Sequence, residues 1–181
     1  MIHDKKRAYL QIVLLRRDEL HLRKLARALG DERAVHTYHY QCEIARLVVY
    51  STQIAISLER EGIRNSRPRR FPAGVPKELQ HHVCRGYFDG DGSISVGILA
   101  SGKTYQHVTF QTNDVSILER INELVSNGSG LTLKMLHYYM RKPNAAILTW
   151  TGYQEVLKLR DYLYKESSIY LERKKIIFES M

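Results

Sequence analysis

The chain has 181 residues, 44% of them hydrophobic, enough for one sizeable domain or two small ones and too apolar for a disordered segment. No apolar run approaches the roughly 18–20 residues that a membrane span requires. The two cysteines, Cys42 and Cys84, lie far apart, which suits a reducing compartment better than a disulfide framework. The net charge of +9 is uneven: residues 1–76 hold 15 of the 28 Lys/Arg but 8 of the 19 Asp/Glu, which points to a polyanionic partner, with nucleic acid first in line.

The N-terminal stretch MIHDKKRAYLQIVLL places basic residues before a short apolar run. Gln11 interrupts that run and RRDE follows it without a small-residue cleavage site, so a secretory signal is not expected, and a cytoplasmic or organellar, nucleoid-associated location is. RAYLQIVLLRR, rich in β-branched and aromatic residues, reads as a strand. DELHLRKLARALG follows as an amphipathic helix, with Asp18 as N-cap, Leu22, Leu25 and Leu29 on one stripe, and Gly30 as its close. AVHTYHY and CEIARLVVY read as two strands, and STQIAISLEREG as a second helix capped by Ser51 and stopped at Gly62. Residues 64–76 are a basic, proline-rich linker between a first unit, 1–63, and a second, 77–181.

After the linker the same order returns. Pro76 suits the first turn of a helix running to about Gly90. SISVGILA and YQHVTFQT form a hairpin around SGK, and DVSILERINELVSNG is a helix that again starts at Asp and ends at Gly. LTLKMLHYY and AAILTWT pair around RKPN, and helical YQEVLKLRDYLY and SIYLERKKIIFES complete the chain. LRRDELHLRKLARALG echoes QTNDVSILERINELV, and VVYSTQIAISLEREG echoes LTWTGYQEVLKLRDY, an internal repeat with a period of roughly 95–100 residues. The helix carrying RGYFDGDG has no first copy.

Gly86 and Gly90 are four apart and share a helix face. Each costs about 1 kcal/mol against alanine unless the missing Cβ permits something, such as close approach of another helix. Asp91 emerges at the end of that helix, and Asp89, one residue off the face, is placed to cap the end or to hydrogen-bond locally. The DGDG turn by itself resembles a fragment of a calcium loop, but no Glu stands at the twelfth position.

CRGYFDGDG, residues 84–92, resembles the signature helix of the LAGLIDADG homing endonucleases, with Gly86, Asp89, Gly90, Asp91 and Gly92 in register. The order of elements is similar to that family's αββαββα unit over most of the chain, which implies an α+β fold with twisted antiparallel DNA-binding sheets. The resemblance implies a site-specific double-stranded DNA endonuclease of a mobile intron or intein. Its signature helices pack in pairs through small residues and hold Mg²⁺ or another divalent cation on their last acids. Such metals activate water and stabilise the leaving oxygen of a phosphodiester. Carried over, Asp91 is the metal-binding and catalytic acid, Gly86 and Gly90 form the helix seam, and Lys165, opening KESSIYLERK, resembles the basic residue that assists the reaction.

The sheets would then lie in the DNA major groove. Alternation turns Ser95, His107, Thr109 and Gln111 away from the core, with Lys103 at a turn, Lys134 opposite Leu133 and Met135 in facing, and Arg141 and Lys142 at the next turn. In the first repeat Gln11, Arg46, Arg16 and Arg17 are the corresponding candidates for DNA contact. Half or more of such contacts touch only phosphate.

Two-repeat members of the family have a first signature helix, which here would lie just upstream of Met1. Three arrangements fit: a longer chain whose first helix precedes this sequence, a homodimer through the Gly86/Gly90 faces with two Asp91 side chains together, or a remnant that binds DNA without cutting it. The same scaffold also suits a non-catalytic nucleic-acid binder, whether an RNA maturase or a DNA-binding regulator. A pure interaction domain, binding neither DNA nor Mg²⁺, is the remaining reading. His81, His82 and Cys84 have no second Cys/His pair at zinc spacing, so they read as structural, and Trp150 reads as core.

Overall fold

The IVLL run, apolar on both faces, lies in the long second strand of an antiparallel sheet. The structure, a computed structural model, describes residues 2–4, 7–39, 43–63, 70–139 and 142–181, which divide into two units, Met1–Ala73 and Gly74–Met181. In the first unit β1 (Ile2–Asp4), β2 (Arg7–Leu15), β3 (Val35–His39) and β4 (Glu43–Tyr50) form a sheet of order β1-β2-β4-β3. Helices α1 (Glu19–Ala28) and α2 (Thr52–Arg60) follow the two hairpins. The short β1 is a strand that sequence patterning does not signal, because three residues carry no readable alternation.

Leu22 and Ala26 of α1 are buried with Ala45, Leu47 and Val49 of β4, and Leu10, Ile12 and Leu14 pack against them. Burial of Leu22 and Leu47 contributes about 1.5–3 kcal/mol each. The expected stripe shifts by one position: Ala26 takes the inner place, and Leu29, past the end of the helix, is 39% exposed. Asp18 stands at the N-cap position but makes no capping bond from its side chain. Ser51 does cap: its hydroxyl accepts from the Ile54 N–H at 3.2 Å. The turn after α2 closes at Gly62, whose φ of 83° lies in the left-handed region.

The second unit repeats the order with a leading helix. Helix α3 (Gln80–Asp91) precedes β5 (Ser93–Ile98) and β6 (Thr104–Thr112), then come α4 (Val115–Ser129), β7 (His137–Tyr139), β8 (Lys142–Thr151), α5 (Tyr153–Tyr164) and α6 (Glu172–Glu179). The sheet order, β5-β6-β8-β7, matches that of the first unit strand for strand. This is the αββαββα order, closed by one further helix.

Two expectations need correction here. Residues 131–136 are not strand: Asn122 of α4 brackets Lys134 instead, its Nδ2 donating to the Lys134 carbonyl at 2.7 Å and its Oδ1 accepting from the Lys134 N–H at 3.0 Å. Lys142 is also not in a turn but opens β8 opposite Tyr139, and a register shift between Tyr138 and Tyr139 absorbs Pro143, which lacks a ladder N–H.

Candidate functional site

Pro76 stands before a short 3₁₀ turn, Lys77–Leu79, that leads directly into α3. The inner face of α3 carries His81, Cys84, Arg85, Phe88 and Asp89, all buried. Phe88 anchors it: its ring centre lies 5.5 Å from that of Phe110 on β6 and 5.7 Å from that of Phe178 on α6, and Phe110 meets Trp150 edge-on at 5.5 Å. The outer face is open, and a Cβ added at Gly86 or Gly90 would meet nothing within 4 Å. Both glycines therefore lie where a second helix could approach this backbone closely.

Asp89 and Asp91, two residues apart, have opposite fates. Asp91, the last residue of α3, is exposed. Asp89 is 6% exposed, and its Oδ2 accepts from the backbone N–H of Leu171 at 3.2 Å. Asp89 thus has a partner 82 positions away, because the helix turns it inward toward the segment before α6.

The cation nearest this helix end in bonding terms is Lys174, not Lys165. Lys174 is buried at 4% exposure, and its Nζ donates to the carbonyls of Phe88 at 2.5 Å, Asp89 at 2.9 Å and Gly92 at 2.6 Å. It also lies 4.8 Å from the centre of the Phe88 ring. Three donors meet three acceptors, and the positive charge sits at the negative end of the helix dipole. Lys165 is exposed beyond the end of α5, where its carbonyl, not its ammonium, meets His81 Nε2 at 2.9 Å. The sequence did carry a signal for Lys174: it falls on the stripe of Leu171 and Phe178, and a lysine on the apolar face of a helix needs a partner inside.

The sheet of the second unit presents its other face outward. Ser93 pairs with Thr109, Ser95 with His107, Thr109 with Thr149 and His107 with Thr151, so these side chains share one face, opposite Val108, Phe110, Leu148 and Trp150. Gln111 belongs to the same face, and its Oε1 accepts from the Tyr139 hydroxyl at 3.2 Å. Lys103 is exposed in the turn between β5 and β6. Lys134 does not join them: it is half-buried, and its ammonium is held by Glu155 of α5 at 2.6 Å, which leaves Leu133 and Met135 as the exposed neighbours. Arg141 lies outside the described residues.

In the first unit, register puts Gln11, opposite Val48, and Arg46, opposite Val13, on one face with Tyr9, Tyr38 and Tyr50. Tyr9 and Tyr50 are 5.4 Å apart between ring centres. Arg16 spans to Glu43 at 3.3 Å and to His39 at 3.1 Å, and Arg17 is exposed beside it.

The histidines and cysteine of α3 are structural in their bonding. Burial pushes the Cys84 thiol up to about 12, with Tyr162 as its hydrogen-bond partner. His82 Nδ1 lies 2.5 Å from Arg85 Nη1, and burial, then the charge of Arg85, lowers its proton affinity. Among the described residues no three His, Cys, Asp or Glu side chains gather as a metal site, and no helix is long and apolar enough to cross a membrane.

Several solved structures that share this architecture are described as homing endonucleases or meganucleases bound to DNA. The chain matches the meganuclease I-SmaMI bound to uncleavable DNA with a TM-score of 0.63 at 12% identity, over 96% of this chain and 76% of that one. It matches LAGLIDADG meganuclease I-CpaMI bound to uncleaved DNA at 0.60, 12% identity, over 96% and 79%. For LAGLIDADG homing endonuclease I-GzeII in complex with its DNA target the values are 0.59, 13%, 98% and 81%. No protein-family model matches the sequence, and no curated protein matches it significantly. At these identities the likeness establishes architecture, and with the DGDG helix, the αββαββα order and the repeated sheet already in place, the chain has the LAGLIDADG homing-endonuclease fold.

Proposed function

We propose that the chain is a site-specific double-stranded DNA endonuclease of the LAGLIDADG type, dependent on Mg²⁺ or a similar divalent cation and associated with a mobile intron or intein. The observation that carries this reading is the end of α3: an exposed Asp91 carboxylate beside a helix face with open space at Gly86 and Gly90. A hard carboxylate oxygen that is free to reach solvent suits a hydrated divalent cation. When bound, the cation supplies an activated water and stabilises the leaving oxygen of the phosphodiester. Asp91 would hold it, and the open sheet faces would hold the DNA, with Ser95, His107, Thr109 and Gln111 from the second unit and Gln11 and Arg46 from the first. Lys174, rather than Lys165, is the lysine that fixes the end of the helix from which Asp91 projects.

A second reading has its own support. The described residues of one chain supply a single exposed acid at the end of a single helix of this kind, whereas the family's chemistry draws on two such helices. A chain working alone would bind DNA or RNA without cutting it, as a maturase, a regulator or a decayed endonuclease. A homodimer through the Gly86/Gly90 face would restore the second acid. Light scattering with and without Mg²⁺, followed by cleavage of a DNA library, separates the readings: a dimer that cuts, and an Asp91→Asn dimer that binds but does not cut, supports the endonuclease, and a monomer that binds without cutting refutes it.

A further inference from the structure

The buried face of α3 carries three polar side chains four residues apart, His81, Arg85 and Asp89, and all three bond to the chain that joins α5 to α6. Arg85 makes two contacts, one to this segment and one to the last turn of α5. It is 8% exposed, its Nε donates to the Ile169 carbonyl at 3.0 Å, and its Nη1 lies 3.4 Å from the Leu163 carbonyl. His81 takes the Lys165 carbonyl, and Asp89 takes the Leu171 N–H. The joining segment is thus held at both ends and in the middle by one helix face, although it has no regular structure of its own and bends through Glu166 at a φ of 49°.

Lys174 stands three residues beyond the last of these anchors, in the first turn of α6. From that turn its ammonium reaches the carbonyls of Phe88, Asp89 and Gly92. We infer that Arg85 is a positioning residue for Lys174: its forked guanidinium fixes the α5–α6 segment and so delivers the ammonium to the end of α3. Arg85 touches neither the exposed Asp91 nor the sheet faces; it acts through Lys174. The inference rests on the endonuclease reading only for its catalytic consequence, and the placement of Lys174 can be tested without it.

The test is acetylation of lysines by an amine-reactive ester on the full chain, read by peptide mass spectrometry. In the wild-type protein Lys174 is protected while Lys103 and Lys165 react. In Arg85→Met, with the fold checked by circular dichroism, acetylation of Lys174 rises about tenfold or more, since its local opening becomes easier. Arg85→Lys keeps the charge with one compact donor group in place of the fork, and gives the same readout if the methionine variant does not fold. Lys174 protected as in the wild type in a folded variant overturns the inference, because Arg85 then only stabilises. If the chain cleaves DNA, the variant loses about 10- to 100-fold in single-turnover rate, with the KM for DNA changed less than about threefold; an equal loss in both would also overturn it. A wild-type chain that cuts no DNA refutes the proposed activity and leaves the acetylation pattern to decide the role of Arg85.

Discussion

The guanidinium of Arg46 on β4 lies 4.8 Å from the ring centre of Tyr38, its diagonal neighbour on β3. The ring holds a long side chain in one orientation on the open face of the first unit, where Gln11 also lies. Arg46→Ala is expected to weaken DNA binding and to lower the slope of affinity against salt by about 1 if the contact is to phosphate. Arg46→Lys should recover part of the affinity, because the charge remains but the planar stacking does not. Anisotropy titrations at several salt concentrations would show both effects, and an unchanged Arg46→Ala would remove this residue from the interface.

Lys174 and Lys165 give opposite predictions. Lys174→Met keeps the stem and removes three donors from buried carbonyls, at a cost of about 1–3 kcal/mol or more. Lys165→Ala, on an exposed side chain, should stay within about 0.5 kcal/mol of the parent. Urea unfolding of the two variants measures the contrast, and hydrogen exchange at the end of α3 should rise only in Lys174→Met.

The two aspartates of DGDG should separate in the same way. Asp91→Asn is expected to abolish cleavage while changing stability by less than about 0.5 kcal/mol, since the side chain is exposed. Asp89→Asn should destabilise by about 1–3 kcal/mol, since the buried carboxylate accepts from Leu171. Collapse of Asp91→Asn on thermal melting would withdraw the catalytic assignment.

His82 makes stability depend on acid. Its proton affinity is lowered first by burial, then by Arg85 and His81, with Glu166 opposing. The unfolded chain therefore binds this proton more readily than the folded one below the ordinary histidine value of 6.5, so stability is full above that value and is lost as the pH falls through the depressed one. Denaturation of the wild type and His82→Gln across this range should show the steeper decline in the wild type. Parallel curves would mean that neither burial nor Arg85 discriminates between the protonation states of His82.

Much of this was legible from residue order alone. The cap at Ser51, the boundaries of α5, the β5–β6 hairpin, the outward set Ser95, His107, Thr109 and Gln111, and the buried Trp150 all follow from rules that act within a few residues. What could not be read depends on contacts across the chain. Lys134 looked like a strand residue until Asn122 and Glu155 supplied its partners, 12 and 21 positions away. Asp89 reads as a cap or a local partner from its position alone, whereas its bond to the Leu171 N–H spans 82 positions. The helix expected to stop at Gly128 runs to Ser129 and ends at Gly130, whose φ of 69° supplies the left-handed cap, while Gly128 inside it makes room for the Tyr162 ring.

The vacant surface at Gly86 and Gly90 has a kinetic consequence. Alanine would fit at both positions in this chain and would favour the helix by about 1 kcal/mol at each, so the glycines serve the free chain poorly. If two copies meet there to assemble one pair of acids, the active species is bimolecular. Below the dissociation constant, cleavage would then grow with the square of protein concentration, and above it in simple proportion. A dilution series would reveal the order of the reaction.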